Sequence, residues 1–189
     1  GLTTEELILA AFELSQASVA LRARVGTNTG IGSEALVADG TDSQKQRWLP
    51  RMATGELTGC LALTEPDAGS EASNVQTTAR REGDEYLLNG RKCYITNAPI
   101  ADVFTVVART DAGSQGSSGL SAFIVERGTP GLRTGPAYKK MGQAGSPVSD
   151  VYFEDCRIPA DHVIGGEEGV GFKTIMKVLN KQRLHLSAL

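Results

Sequence analysis

Apolar positions follow two periods along the chain, and the change of period divides it. Through residue 56 the spacing is helical. Leu7, Ala11, Leu14 and Leu21 share one helical face, and Thr3 with Glu6 forms a capping-box signal ahead of them. Residues 31–39 predict a second helix ended by Gly40. Residues 43–52 predict a third, capped near Thr41 to Ser43 and burying Trp48, Leu49 and Met52. From Leu57 onward short apolar runs are split by turn signals at Gly83-Asp84, Asn89-Gly90, the Gly/Ser-rich residues 112–119 and residues 128–131. Strands are predicted over residues 75–80, 86–88, 103–109, 122–126 and 148–154. After Pro159 a Gly-rich stretch, residues 164–171, leads to Phe172, Ile175, Leu179 and Leu186 on one helical stripe. The expected fold class is α+β: a central antiparallel β-barrel or sandwich domain flanked by N-terminal helices and one C-terminal helix. The expected boundaries are 1–56, 57–160 and 161–189.

Composition narrows the function classes. With 189 residues the chain can bury a real core. A formal charge of -3 with no basic run argues against nucleic acid as the main partner. No apolar stretch is long enough to span a membrane, and no N-terminal charged-then-apolar signal is present. Cys60, Cys93 and Cys156 are widely spaced and read as reduced thiols, with neither a disulfide framework nor a zinc site. His162 and His185 are the only histidines, so no His-based metal centre is expected, and both read as surface or interface residues.

Two segments carry candidate chemistry. Residues 61–71, LALTEPDAGSE, end an apolar strand-like run in a turn of small and hydroxyl residues. Leu61, Ala62 and Leu63 can lie against a flat ring while Thr64 offers a hydroxyl at its edge. Pro66, Gly69 and Ser70 turn the chain; Gly69 lets backbone N–H groups approach an anion and Ser70 adds a donor. Residues 91–99, RKCYITNAP, follow the hairpin signal at Asn89-Gly90 and place Cys93, Tyr94, Ile95 and Thr96 on a strand, with an aromatic face and another hydroxyl.

Together, TEPDAGSE, NGRKCYITN and VYFEDCRIP (residues 151–159), followed by GVGFKTIMKVLNKQR (residues 169–183), closely resemble the acyl-CoA dehydrogenase family, in its order and with family-like spacing. The resemblance covers essentially the whole chain. It implies an N-terminal helical domain that begins partway through, a complete middle β domain, and only the opening helix of a C-terminal four-helix domain. It also implies FAD as cofactor, an acyl-CoA thioester as substrate, an electron-transfer flavoprotein as acceptor and a homotetrameric full-length protein. In resembling enzymes the positions of Leu61, Leu63, Thr64, Gly69 and Ser70 contact the flavin and its pyrophosphate. Those of Tyr94, Ile95 and Thr96 cover the ring's other face and reach N5, where a hydroxyl could stabilise the reduced flavin. Ser70, Asn180 and Arg183 match substrate-contacting positions; Arg183 could pair with a phosphate.

The resemblance also exposes an absence. Some members carry the catalytic Glu at the position of Gln182, whose amide cannot act as a base, and most carry it in a later loop. Glu65 reads as a support of the turn. No catalytic residue is therefore expected within 1–189, and the chain alone should show no turnover. Tyr94 stands where many relatives have Trp, Glu71 where Asp is common, and Asn180 where well-known relatives have Asp. Alternatives are an acyl-CoA oxidase on the same scaffold, a non-catalytic flavin or acyl-CoA binding or assembly module, and a purely structural β module. The implied compartment is a bacterial cytoplasm, or a mitochondrial matrix in a eukaryote.

Overall fold

The computed structural model describes residues 3–114, 116–169 and 171–187; the side chains of residues 181 and 184–187 are outside the described set, which removes His185 and Leu186 from comparison. Four helices come first: α1 (Thr4–Ala17), α2 (Val19–Thr29), α3 (Glu34–Asp39) and α4 (Asp42–Ala53). The capping box at Thr3 forms as expected, and a second one at Thr41 pairs with Gln44. The continuous first face does not form. Ser18 is extended and its Oγ accepts from the Leu21 N–H at 3.2 Å, so it ends α1 and caps α2, leaving Leu14 and Leu21 exposed. Trp48 and Met52 are buried and Leu49 partly so.

Seven strands follow: β1 (Gly59–Ala62), β2 (Thr78–Glu82), β3 (Glu85–Thr96), β4 (Val103–Arg109), β5 (Leu120–Glu126), β6 (Leu132–Thr134) and β7 (Val148–Pro159); α5 (Gly171–Ser187) closes the described chain. The α+β class and central β domain stand. The sheet is mixed, in the order β1-β4-β2-β3-β7-β6 with β5 on β4, and β1 runs parallel to β4. Asp102 fixes that arrangement: its Oδ2 accepts from the Thr58 N–H at 2.9 Å, and its own N–H donates to Thr58 O at 2.7 Å.

Asn89-Gly90 is not a hairpin turn. β3 continues through it, pairing with β7 on both sides across a register shift. Two contacts replace the expected reversal. The Asn89 side chain exchanges hydrogen bonds with Asp155, and Gly90 packs so closely on Thr77 that a Cβ there would lie 2.4 Å from Thr77 Oγ1. The hairpin forms one turn earlier, at Gly83-Asp84, between Glu82 and Glu85.

Alternation along β1 separates two cores. Cys60 and Ala62 join Phe104, Phe123 and Phe153 on one side of the sheet, whereas Leu61 and Leu63 face Trp48, Met52, Ile124 and Ile175 under the helices. All three cysteines are free and buried, and burial pushes the Cys156 thiol up to about 11. His162 is buried, contrary to expectation. Its Nδ1 lies 2.9 Å from Ile124 O and its ring meets Trp48 edge-on, because the turn after β7 folds back under α4. Gln44 holds that turn, donating to the carbonyls of Asp161 and Val163 at 2.7 Å each.

Candidate functional site

The two sequence motifs meet through a buried ion pair. Lys92 Nζ lies 2.7 Å from Glu65 Oε1 and donates to Leu63 O at 3.2 Å, and both side chains are buried. Glu65 also accepts from the backbone N–H groups of Gln76 (2.6 Å) and Thr77 (2.9 Å) and from the Thr77 hydroxyl. Desolvation opposes ionisation of Glu65, but Lys92, Thr77 and Gln76 outweigh it and hold the carboxyl below its ordinary range. Desolvation pushes Lys92 down to about 8, against the pull of Glu65. Glu65 thus supports the turn, as its place in the motif suggests. Beside this pair the Cys93 N–H donates to Thr64 O at 2.9 Å, fixing the end of β3 against the loop after β1.

That junction walls a cavity of about 330 Å³, within the usual range of small-molecule sites. Leu61, Leu63, Thr64, Gly69, Ser70, Tyr94, Ile95 and Thr96 all line it, together with Arg183. Ile31 from the turn between α2 and α3, Ala72 from the segment after the β1 loop, and Met176 and Leu179 from α5 complete the wall; they lie outside the two sequence motifs, and only the fold brings them to the cavity. Leu61 and Leu63 supply a flat apolar side. Tyr94 sits at the second register shift of β3 with φ of 58°, which turns its ring outward; it is 69% exposed and 5.5 Å from the Tyr138 ring. The side-chain hydroxyls of Thr64, Ser70 and Thr96 make no hydrogen bond to any described residue, so three donors stand free at the edge of an apolar slot. Such a set fits a planar heteroaromatic ring system with polar edges, as a flavin has. Asn180 is not in the cavity wall; its Oδ1 accepts from Arg183 Nη1 at 2.9 Å and so orients the arginine.

A second cavity, about 460 Å³, adjoins the first and shares Ile31 and Thr96 with it. Arg22 and Lys140 contribute charge to its wall, and among the described residues no Asp or Glu lines either cavity. Gln182 also lines it, donating to Glu34 Oε2 at 3.0 Å. Neither Lys92 nor Arg22 carried a local sequence signal, since the partners or vacancies that define them come from distant elements. Among the described residues no cluster of metal-ligating side chains occurs, and no helix is long and apolar enough to cross a membrane.

Comparison with known proteins matches two family models in order along the chain. Residues 1–56 match the model of the acyl-CoA dehydrogenase N-terminal domain and residues 60–156 that of the acyl-CoA dehydrogenase middle domain. Mitochondrial isovaleryl-CoA dehydrogenase of Pongo abelii is 40% identical over 99% of this chain and 44% of its own length. A chain in the structure of the electron transferring flavoprotein of Acidaminococcus fermentans superposes with a TM-score of 0.94 at 42% identity, over 100% of this chain and 49% of that one. An acyl-CoA dehydrogenase from Bacillus anthracis complexed with FAD gives a TM-score of 0.91 at 38% identity, over 100% of this chain and 31% of that one. The chain spans about half the length of the curated relatives it matches. With both domain models matched in order over the helical and β parts, this chain belongs to the acyl-CoA dehydrogenase family.

Proposed function

We propose that this chain forms the flavin-facing part of an FAD-dependent acyl-CoA dehydrogenase that introduces a double bond between Cα and Cβ of an acyl-CoA thioester. The observation that carries this reading is the convergence of Leu61, Leu63, Thr64, Gly69, Ser70, Tyr94, Ile95 and Thr96 on one cavity, with its hydroxyls uncommitted. Bound FAD supplies a two-electron acceptor for the hydrogen leaving Cβ. Leu61, Leu63 and Ile95 offer an apolar surface for the ring, Tyr94 an aromatic one, and Thr64 and Thr96 hydroxyl donors for its edge. Gly69 and Ser70 open the turn toward an anion, and Arg183, steadied by Asn180, presents a cation at the same cavity for a phosphate of the substrate.

Removal of the α proton needs a carboxylate, and we place it outside residues 1–189. The carboxylate-free walls of both cavities support this, as does the engagement of Gln182 with Glu34. By itself the chain then serves as a flavin or acyl-CoA binding module without turnover. Reoxidation by an electron-transfer flavoprotein is favoured over direct reaction with oxygen by the likeness to a chain in the electron transferring flavoprotein structure. Both bacterial and mitochondrial relatives support assignment to the matching compartments; homo-oligomeric assembly is part of the proposal for the full-length protein.

The test uses the longest natural protein containing this sequence. It should purify with flavin that an acyl-CoA bleaches under anaerobic conditions, while residues 1–189 with added FAD give no turnover. Thr64→Val and Thr96→Val should each weaken FAD binding by about 3- to 10-fold, the worth of one hydrogen bond. No flavin binding, or flavin that no acyl-CoA reduces, would refute the dehydrogenase reading.

A further inference from the structure

Two residues of β3 face one residue of β7 where the strand reaches the first cavity. Lys92 pairs with Val151 and Ile95 with Ser149, so Cys93 and Tyr94 together oppose the single Asp150. This is a β-bulge, a device that re-aims a side chain. It puts Tyr94 at φ of 58°, a backbone conformation that a bulky residue keeps only where its surroundings impose it. The ring is turned outward into the cavity wall and largely exposed, so packing within the strand does little to fix its rotamer.

The fixed neighbour of that ring is Tyr138, from the segment between β6 and β7. Their centroids are 5.5 Å apart with the planes tilted by 42°, a separation at which aromatic pairs attract. Tyr138 is tied at both ends. Its N–H donates to Val148 O at 2.8 Å, and its hydroxyl donates to Asp150 Oδ1. Asp150 is buried, and its Oδ2 accepts from Arg91 Nη2 at 2.7 Å, Arg91 Nε at 3.2 Å and the Tyr152 hydroxyl at 3.1 Å. Desolvation opposes its charge, but Tyr138, Arg91 and Tyr152 outweigh it and hold the carboxyl below its ordinary range. The Tyr138 hydroxyl is pushed up to about 12 by desolvation and by its bond to Asp150, so it stays a donor at neutral pH. Folding alone gives little reason for this anchor, since Tyr138 is 37% exposed and water would satisfy its hydroxyl.

We propose that Tyr138, anchored by Asp150, is a positioning residue of the flavin site: it holds the Tyr94 ring in the pose that covers the cofactor. This rests on the reading of that cavity as a flavin site. Tyr138 lies outside the cavity wall and reaches it through Tyr94. The charge-assisted bond between hydroxyl and carboxylate fixes the Tyr138 ring in one rotamer. Tyr94 then meets a rigid partner, and the entropy of ordering its ring is lost before the cofactor arrives instead of on binding. Asp150 suits the task because it stands opposite the bulge, so the group that anchors Tyr138 lies where β3 turns Tyr94 outward.

The experiment uses the longest natural protein containing this sequence, loaded with FAD. A phenol ring stacked on a flavin quenches its fluorescence by electron transfer to the excited ring, so emission reports the pose of Tyr94. Tyr138→Leu should raise the emission of bound flavin severalfold and weaken FAD binding by about 3- to 10-fold, the worth of one aromatic pair. Tyr138→Phe keeps the ring and loses the anchor; its emission should fall between those of the parent and Tyr138→Leu, and Asp150→Ala should resemble it. In a Tyr94→Ala background Tyr138→Leu should change neither quantity further, because the two residues act as one unit. Unchanged emission in Tyr138→Leu, or the same increase with and without Tyr94, would overturn the inference, while bleaching of the flavin by an acyl-CoA keeps the dehydrogenase reading. The expected emission changes on a flavin that no acyl-CoA reduces would sink the dehydrogenase reading but keep the positioning role. If Tyr138→Leu does not fold, Tyr138→Phe and Asp150→Ala carry the test, and emission equal to the parent's in both overturns the inference. Failure of the parent to bind flavin would remove both.

Discussion

Lys92 and Arg22 are both buried cations, and their surroundings differ in every respect that matters. Lys92 is fully buried, lies 2.7 Å from a carboxylate and reaches a backbone carbonyl. Arg22 is nearly as buried and has no counter-charge among the described residues. Desolvation penalises both, but only Lys92 is compensated within the fold. The first holds the turn after β1 against β3, and the second lines a cavity. Burial alone therefore says little about a charged side chain; the state of its hydrogen bonds separates scaffold from site.

The largest test of this contrast is Glu65→Gln, which strands Lys92 and should cost about 3–5 kcal/mol in urea unfolding. Adding Lys92→Met should recover much of that loss, because the uncompensated charge is gone. A single variant as stable as the parent would show that the pair does not hold the loops. The same variant has a pH signature. Glu65 is held below its ordinary 4.5, so its contribution is present above that pH and is lost as pH falls through the lower folded-state value. The stability gap between parent and Glu65→Gln should therefore narrow in acid below about pH 4.5, and a constant gap would contradict the assignment.

Gly90→Ala probes the same region from outside the ion pair, since its Cβ would lie 2.8 Å from Thr77 Cα. The expected cost is about 1–3 kcal/mol, with weaker flavin retention because Thr77 carries one of the hydrogen bonds to Glu65. Thermal unfolding with and without FAD reads both effects. The smallest effect is expected at Arg22. Arg22→Met should leave stability within about 1 kcal/mol of the parent, or raise it, since it removes an unpaired charge. A loss of several kcal/mol would mean that Arg22 is structural after all and would erase the contrast with Lys92.

The helical and strand periods, the Thr3 cap and the turn residues after β1 that line the first cavity were legible because each depends on neighbours within a few positions. Val103–Arg109 was predicted with its observed bounds, as its apolar run is flanked by turn residues on both sides. Ser18 was missed as a helix boundary, and β6 has only three residues, too short to carry a period. Asn89-Gly90 misled for a different reason. The dipeptide suits a hairpin, but Asp155 and Thr77, distant in sequence, gave its side chain and its missing Cβ other uses. His162 was misplaced because nothing near it in sequence shows that Trp48 will cover it.

By itself the sequence determined the order of helical and β regions and the family, since these are written in local periodicity and motif. Only the tertiary structure decided that Lys92 is neutralised, that β1 runs parallel to β4, and that Arg22 faces a cavity without a partner. Those outcomes depend on which distant groups reach within hydrogen-bonding distance and which stay out of range. Electrostatic and hydrogen-bond energies fall off over a few ångströms, a separation that positions along the chain do not encode.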